Sequence, residues 1–274
     1  MTDKYKEVSK IIKDSDAILI TAGAGIGVDS GLPDFRGNKG FWKHYPPFEK
    51  LGLNFIDLAN PMWFSRDPEL AWGFYGHRLN LYRSTKPHKG FDILLKWAKQ
   101  KNDNYFVFTS NVDGQFQKAG FDENRIYEVH GSIHYLQCSK NCSQNVWFNN
   151  ENVVINTNTM RAKQPLPRCP NCNSISRPNI LMFSDWSWIS TKYDLQEQRL
   201  SDWLNENSNK KIIIIEIGAG TGVPTVRFFS ERVASNFDSY LIRINLREPH
   251  CNLSNCISLS DSALKTLVKI VEIF

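Results

Sequence analysis

The sequence predicts an α/β fold built on a doubly wound parallel sheet, with a small domain formed by two insertions. Two observations predict the sheet: short apolar runs alternate with helical patterns, and glycine-rich turns directly follow two of those runs, at 23–27 and 218–222. A third observation predicts the small domain, because the polar, asparagine-rich segment 138–172 has cysteines at both ends. Strands that are apolar throughout are typical of parallel sheets covered by helices on both faces.

The predicted elements alternate along the chain. Apolar residues between Tyr5 and Ile12 recur at helical spacing and predict an amphipathic helix at the start. Residues 41–85 are rich in tryptophan, phenylalanine, tyrosine and proline, and predict helices and loops outside the sheet. Further helices are predicted at 91–98 and 263–271, where apolar residues again recur at helical spacing. Apolar runs predict strands at 17–21, 105–109, 126–129, 180–183, 212–217 and 241–245.

The main-sheet domain is therefore expected in three stretches of chain, separated by the two insertions of the small domain. The main-sheet stretches are 1–40, 88–132 and 179–274, the helical insertion is 41–87, and the cysteine-bearing insertion is 133–178. A large domain with a small one is ordinary for a chain of 274 residues.

Composition and charge exclude several classes of protein. With 16 glycines and 12 prolines, the chain is neither collagen-like nor of low complexity. Its most apolar run, 212–215, ends at Glu216, and no segment approaches the roughly 20 apolar residues of a membrane span. A net charge of +5 is too weak to indicate nucleic-acid binding by itself. Residues 1–6 contain no apolar signal region, so we expect a cytoplasmic protein without membrane contact.

The first glycine-rich turn continues into an unusual loop. A standard dinucleotide-binding turn enters a helix at once and reaches an acidic ribose ligand roughly 20 residues later, whereas here Pro33 breaks any helix early. The next residues, Asp34, Phe35 and Arg36, suggest a loop that folds over a bound nucleotide. Arg36 would meet phosphate, Phe35 would shield a reacting sugar and Asp34 would orient polar groups. The simpler alternatives are a tight strand-to-helix connection and a surface loop with a local Asp–Arg pair.

Two further motifs stand at the ends of predicted strands, the edge at which open α/β sheets bind ligands. Asn111 and Asp113, two residues apart, would turn together into a pocket; alternatively, Asp113 caps the next helix in an Asx turn. His130 lies between an apolar strand end and Gly131, where it would be held in place yet reachable. With an ordinary pKa of about 6.5 it would serve as a general base, although a single histidine is more often structural.

Four of the six cysteines form two close pairs. Cys138 and Cys142 are separated by three residues, and Cys169 and Cys172 by two. Thiolates at these spacings bring two sulfurs to one tetrahedral ion, so the two pairs predict a single zinc site. A site closed by four cysteines has no position for water, which makes it structural rather than catalytic.

In this order the motifs resemble those of the sirtuin family, and a cysteine-bearing insert placed after the histidine is specific to that family. The resemblance extends from about Asp16 to the last helix. The segments that carry it are 23–25, 30–36, 40–42, 111–113, 130–131, 177–179, 244–245 and the four cysteines.

The resemblance implies an NAD-dependent protein-lysine deacylase, which cleaves the bond between nicotinamide and ribose and transfers the acyl group to ADP-ribose. Its fold would be a Rossmann-like domain with a small zinc-ribbon domain, and its partners would be acyl-lysine proteins or peptides. NAD would be consumed, one Zn²⁺ would be structural, and the oligomeric state stays open.

The resemblance also assigns roles to individual residues. His130 would be the general base, with Asn111 and Asp113 on the nicotinamide side of the pocket. NAD would contact Gly23, Ala24, Gly25, Asp34, Phe35, Arg36, Ser110, Asn111, Val112, Asp113, Gly218, Ala219, Gly220 and Asn245.

A narrower match concerns the acyl group. Tyr75 and Arg78 resemble the Tyr-x-x-Arg of sirtuins that prefer succinyl- or malonyl-lysine. Residues three apart lie on one helix face, where the guanidinium would bind a carboxylate bidentately and the phenol would add one donor. The alternative is an amphipathic helix with a solvated arginine.

The chain departs from the family pattern mainly around the expected NAD site. Gly27 replaces the usual serine, and Ser110 replaces the usual glutamine, whose contact with the ribose supports acyl transfer. Further departures lie at 115–116, 183–185 and 218–220. They predict a divergent, bacterial-type member and leave three alternatives open: an ADP-ribosyltransferase, an NAD hydrolase and a non-catalytic NAD-sensing module. A hydride-transferring dehydrogenase is disfavoured by the early helix break after the first turn.

Overall fold

The computed structural model describes residues 2–34, 37–237 and 239–274. Its strands, in chain order, are β1 (Ala17–Ala22), β2 (Tyr105–Thr109), β3 (Ile126–Glu128), β4 (Gly131–Cys138), β5 (Val146–Phe148), β6 (Ile155–Asn156), β7 (Arg161–Ala162), β8 (Ser176–Ile180), β9 (Ile212–Ile217), β10 (Tyr240–Ile244) and β11 (Cys256–Leu259). Its helices, in chain order, are α1 (Thr2–Asp14), α2 (Gly37–His44), α3 (Pro46–Lys50), α4 (Phe55–Leu58), α5 (Trp63–Arg66), α6 (Pro68–Ser84), α7 (Lys89–Gln100), α8 (Gln115–Lys118), α9 (Thr191–Glu206), α10 (Thr225–Asn236) and α11 (Ala263–Ile273). Short 3₁₀ helices cover Ala24–Ser30 and Glu123–Arg125. Among the described residues, no helix has both the length and the apolar character that a bilayer crossing requires.

Six strands in the described part of the chain form one parallel sheet in the order β3-β2-β1-β9-β10-β11. β1 lies at the centre, with Ile18 opposite Tyr105 of β2 and Ile213 of β9. The strand order reverses between β1 and β9, and this is the switch point at which doubly wound sheets bind ligands. β2 and β9 have the predicted bounds because nearly every residue in them is apolar and buried.

Helices cover both faces of this sheet. Ile18 and Ile20 belong to a core that contains apolar residues of α1, α7 and α11. Leu19 points to the opposite face, where it packs with apolar residues of α9 and α10. The predicted doubly wound parallel sheet is therefore confirmed.

A smaller unit is built from α2 to α6 and β4 to β8. β5, β4 and β8 form an antiparallel sheet, and β6 pairs with β7. The core of this unit is aromatic, with the ring centroids of Phe41, Phe48 and Phe74 separated by 5.9–6.2 Å. α6 packs closely on β7 at Gly73, where a Cβ atom would lie 1.9 Å from the Met160 carbonyl oxygen. This contact joins the two insertions in space.

The strand predicted at 180–183 is wrong. The strand present, β8, covers Ser176–Ile180 and pairs antiparallel with β4 in the small sheet. Arg177 and Asn179 in β8 are buried polar side chains, and no apolar pattern signals them. The predicted domain borders after residues 132 and 178 consequently fall inside β4 and β8.

The sequence pattern does not predict β11 at the edge of the main sheet. Ile257 and Leu259 are buried there, whereas Cys256 and Ser258 are only half-buried. A four-residue edge strand with this alternation carries too short an apolar signal to be separated from a loop.

Candidate active site

A cavity of about 700 Å³ opens at the switch point, between the carboxyl edge of the main sheet and the small unit. Its walls come from loops that follow β1, β2, β3 and β9 and from α4 and α6. Phe35 and Arg36 lie outside the described residues. Most of the other predicted site residues line the cavity: Gly23, Ala24, Asp34, Tyr75, Arg78, Ser110, Asn111, Val112, Asp113, His130, Gly218, Ala219 and Gly220.

The two glycine-rich turns pack directly against each other. The Gly25 amide donates to the Gly218 carbonyl over 3.0 Å, and Gly218 has a φ of +65°. A Cβ on Gly23 or Gly25 would come within 2.6–2.8 Å of backbone atoms of the other turn. Glycine is therefore required for the contact between the turns. Gly25 belongs to this contact rather than to the cavity wall.

The departure at Gly27 has a local reason. A Cβ atom there would lie 3.2–3.3 Å from the Leu32 side chain. The Leu32 amide donates to the Gly27 carbonyl over 3.1 Å, and its side chain is part of the small unit's core. A glycine thus lets the loop after the 3₁₀ helix fold back closely while Leu32 stays buried.

Asn245 supports the second turn from behind. Its side-chain amide donates to the Ala219 carbonyl over 2.7 Å, and its side-chain oxygen accepts the backbone amide of Glu248, a cavity residue. Arg227 of α10 adds hydrogen bonds to the carbonyls of Ala219 and Glu248. No local sequence pattern indicates Arg227, because its partners are backbone atoms that only the fold brings to it.

The loop that follows β2 is tied to the first turn. The Ser110 amide donates to the Ala22 carbonyl over 3.1 Å, which continues the pairing of β2 with β1. The Asn111 side-chain amide then donates to the Gly23 carbonyl over 3.1 Å. Ser110 and Asn111 consequently face the cavity next to the glycine-rich wall.

Asp113 is buried two residues further on. Its carboxylate accepts the Gln115 backbone amide over 2.9 Å, which is the Asx turn considered as the simpler alternative, although Gly114 is the residue that caps α8. The residue also lines the cavity, so the geometry is compatible with both interpretations. Burial raises the pKa of Asp113 to about 6, while the Gln115 hydrogen bond and the Arg78 charge act in the opposite direction. His134 of β4 donates from Nε2 to the Asp113 carbonyl over 2.9 Å and holds this loop.

His130 lies between β3 and β4 and lines the cavity. Its carbonyl accepts the Leu181 amide over 3.0 Å, and its Nε2 is 3.5 Å from Thr225 Oγ1. Burial lowers the pKa of the imidazole, and a hydrogen bond with the Ser110 backbone partly opposes this shift. At neutral pH the ring is therefore uncharged, which is the state in which a general base accepts a proton.

Tyr75 and Arg78 lie one helical turn apart on α6, and both line the cavity. The Arg78 guanidinium is buried and lies 5.2–5.6 Å from the ring centres of Phe55, Phe74, Tyr75 and Tyr82. Its Nε donates to Tyr82 Oη over 3.1 Å. The alternative of a solvated Arg78 is therefore wrong. A buried guanidinium at the cavity wall can bind an anionic group. Tyr82, which no sequence motif indicates, orients this guanidinium through its hydrogen bond.

The four predicted cysteines come together in the small unit. Their Sγ atoms all lie within 4.8 Å of one another, with Cys138 3.6 Å from Cys172 and Cys142 3.5 Å from Cys169. Sulfurs that bind one zinc ion at about 2.3 Å in a tetrahedron lie about 3.8 Å apart. Asn171 donates to Cys142 Sγ over 3.4 Å, an outer contact of the kind that orients metal ligands. The donor set therefore fits a single structural Zn²⁺.

A doubly wound sheet, an inserted four-cysteine unit and a glycine-walled cavity at the switch point define a two-part α/β protein of the nucleotide-binding class. The model of the Sir2 family matches residues 23–248. The match covers most of the chain, which therefore belongs to the Sir2 family, the sirtuins.

Relatives and solved structures agree with this assignment. A protein of Leptospira interrogans named NAD-dependent protein deacylase is 30% identical over 243 residues, which cover 89% of this chain and 82% of the relative. A protein of the same name from Candida albicans is 30% identical over 85% of this chain and 84% of its own length. The crystal structure of a Sir2 homologue in complex with NAD superposes with a TM-score of 0.70 at 23% identity, over 97% of this chain and 93% of that chain, and shares the fold.

Proposed function

We propose that this chain is an NAD-dependent protein-lysine deacylase, the activity for which its relatives are named. The observation that carries the proposal is a single cavity lined by His130, Asn111 and Asp113 together with the two glycine-rich turns. When bound, NAD supplies a ribose carbon that loses nicotinamide and accepts the acyl group of lysine.

The two turns are the proposed binding site for the phosphates and the adenosine end of NAD. Glycine at 23 and 218 lets the two turns pack against each other, because a Cβ atom at either position would lie within 2.8 Å of backbone atoms of the other turn. Gly23, Gly218 and Gly220 all line that wall. Ala24, Gly25 and Ala219 complete the two turns, and Asn245 holds the second one through its bond to the Ala219 carbonyl. Asp34, Ser110 and Val112 are proposed further contacts, and Phe35 and Arg36 are assigned by family resemblance alone.

His130 is the proposed general base. Its Nε2 atom accepts a proton from a hydroxyl group in the cavity, and the lowered pKa of the ring keeps this atom unprotonated near neutrality. Asn111 and Asp113 are proposed to bind the nicotinamide side of the cavity, where His134 and the Gly23 carbonyl fix their loop.

The proposed acyl group is acidic, such as succinyl or malonyl. The buried Arg78 guanidinium would bind its carboxylate, and Tyr75 would add a phenolic donor from the same face of α6. Aromatic rings around Arg78 restrict its motion, which favours a defined anion site over a flexible surface cation.

Mass spectrometry of the products from NAD and a panel of acetyl-, succinyl- and malonyl-lysine peptides tests the activity. Deacylation with formation of O-acyl-ADP-ribose is expected. Release of nicotinamide without loss of the acyl group would instead identify an NAD hydrolase or ADP-ribosyltransferase, a candidate favoured by the short Ser110 side chain on the cavity wall. Thermal stabilisation by NAD without nicotinamide release would identify an NAD-sensing module.

The acyl preference is tested with Arg78→Met. We expect kcat/KM for succinyl-lysine peptides to fall at least about tenfold, because a buried guanidinium–carboxylate pair is lost, while acetyl-lysine turnover changes much less. Arg66→Met, an exposed arginine on α5, is the matched control. Unchanged selectivity in Arg78→Met would rule out the acidic-acyl assignment.

We also propose the predicted division into the main-sheet stretches 1–40, 88–132 and 179–274 and the small-domain insertions 41–87 and 133–178. In this proposal the borders at 132 and 178 move to 130 and 180, which keeps β4 and β8 whole in the small unit. A cytoplasmic location is proposed because four thiols that bind zinc must stay reduced. Fractionation of cells that express the tagged protein tests the location.

A further inference from the structure

Two oxygen atoms lie beside the His130 imidazole and can bind its N–H groups. The ring forms a hydrogen bond with the Ser110 backbone, and because this bond raises the pKa, the ring is the donor and the Ser110 carbonyl the acceptor. Thr225 Oγ1 lies 3.5 Å from Nε2, the ring atom to which the proposed function assigns proton transfer. A threonine hydroxyl can both donate and accept, so it can pair with the neutral and with the protonated ring.

Thr225 lies between the imidazole and the protein surface. It is the first residue of α10 and is half-buried. The preceding residues 221–223 are exposed to solvent, and the next residue, Val226, lines the cavity. The Thr225 hydroxyl is therefore in a position to exchange protons with the imidazole on one side and with water on the other.

A proton taken up by His130 has no acidic side chain to hold it. Burial and the Ser110 hydrogen bond are the causes of the shift in the His130 pKa, and no carboxylate is among them. The elements around His130 carry the ionisable residues Glu128 of β3, His134 of β4 and Arg227 of α10, and Arg78, Asp113 and Glu248 of the cavity wall. Burial disfavours the charged ring, so the proton must leave before His130 can act as a base again.

We propose that Thr225 carries the proton from His130 to solvent. The N–H bond at Nε2 breaks and its proton passes to Thr225 Oγ1, while the hydroxyl proton of Thr225 passes to a water molecule. The ring returns to its neutral form and the hydroxyl is restored. Thr225 acts only through His130, since the neighbouring residue of α10 that lines the cavity is Val226. This inference rests on the proposed function, because the proton on Nε2 comes from the hydroxyl group that His130 deprotonates.

The first test needs neither NAD nor activity. NMR titration of protein labelled at histidine measures the pKa of His130, whose signal is assigned by its loss in His130→Ala. Valine has the shape of threonine but cannot accept an N–H group, and hydrogen bonds of a charged ring are the stronger ones. Thr225→Val should therefore lower the pKa of His130 by about 0.5 to 1. Thr225→Ser keeps the hydroxyl and should retain the wild-type value.

The second test measures turnover of an acyl-lysine peptide with NAD by the same variants. For Thr225→Val we expect kcat to fall about tenfold at constant KM, because proton departure is slowed while binding is unaffected. Thr225→Ser should restore kcat. Ser235→Ala, at an exposed position of the same helix, is the matched control and should behave as wild type in both tests.

An unchanged His130 pKa in Thr225→Val would overturn the proposal, and so would a lowered pKa with wild-type kcat. If the wild-type protein removes no acyl group, the proposed function fails. A lowered pKa in Thr225→Val, restored in Thr225→Ser, would still support the hydrogen bond between Thr225 and His130 on which the proton path depends.

Discussion

The side-chain amide of Asn111 donates a hydrogen bond to the backbone carbonyl of Gly23 over 3.1 Å. This bond joins the loop after β2 to the turn after β1, the two segments that form neighbouring parts of the cavity wall. Asn111 therefore lines the cavity and also holds the neighbouring turn in place. A substitution at Asn111 is expected to affect both ligand binding and the stability of this wall.

Asn111→Ala is expected to lower the free energy of unfolding by about 1 kcal/mol, because the Gly23 carbonyl loses its partner. Nicotinamide release should fall at least about tenfold as the wall loosens. Thermal unfolding and NAD turnover check the two effects. The matched control is Asn124→Ala on the protein surface, for which turnover should not change. If Asn111→Ala turns over NAD at the wild-type rate, Asn111 does not belong to the active site.

His130→Ala is expected to abolish acyl removal, with a loss of at least about a hundredfold, since the proposed base contributes on this scale. Bound zinc and the circular-dichroism spectrum should stay as in wild type, because His130 lines the cavity and is not one of the four cysteine ligands. Full activity of this variant would show that another group accepts the proton.

The pH dependence of kcat/KM should show an acid limb below about pH 6.5, the ordinary pKa of histidine. Burial lowers the pKa of His130, so the neutral form persists to lower pH and activity is lost only as pH falls through the lowered pKa. Turnover measured from pH 5 to pH 8 checks this prediction. An acid limb above pH 7 would contradict it.

Asp113→Asn is expected to raise stability at pH 8 while deacylation falls. The folded-state pKa is raised from 3.8 to about 6, so the folded protein holds this proton more tightly than the unfolded chain. Stability from this group is present below pH 3.8 and is lost as pH rises through 6. Because the amide of Asn carries no charge, the substitution should raise the free energy of unfolding by about 3 kcal/mol at pH 8 and by much less at pH 4.

Denaturant unfolding of Asp113→Asn at the two pH values measures this difference. The side-chain oxygen of Asn can still accept the Gln115 amide, so the Asx-turn hydrogen bond is retained. Exposed Asp14→Asn serves as the control. A destabilised Asp113→Asn at pH 8 would mean that the ionised carboxylate is well compensated in the folded protein.

Cys169→Ser should release zinc, because the tetrahedral set loses one thiolate. The binding energy of a structural zinc is folding energy, so we expect the small unit to unfold and the melting temperature to drop by about 10 °C or more. Metal analysis and thermal unfolding check this, with Cys251→Ser as the matched control outside the cluster. Retention of one zinc per chain would refute the four-cysteine site.

The elements predicted best from sequence are those whose signal is local. β2 and β9 are almost wholly apolar, and the two glycine-rich turns directly follow β1 and β9. The spacing of the cysteine pairs likewise predicted a metal site, and the structure brings all four sulfurs together. β8 escaped prediction because Arg177 and Asn179 are buried as polar residues, with partners such as Asp185 and Gln137 elsewhere in the chain.

By itself, the sequence determined the doubly wound sheet, the cysteine centre and the chemical types of residue at the strand ends, since each depends on neighbours along the chain. Only the tertiary structure decided that Gly25 serves the packing of one turn on the other, that Tyr82 holds Arg78, and that Arg227 clamps two loops. Hydrogen bonds and close contacts of this kind join atoms that are distant in sequence, and their geometry exists only after the strands have assembled in order.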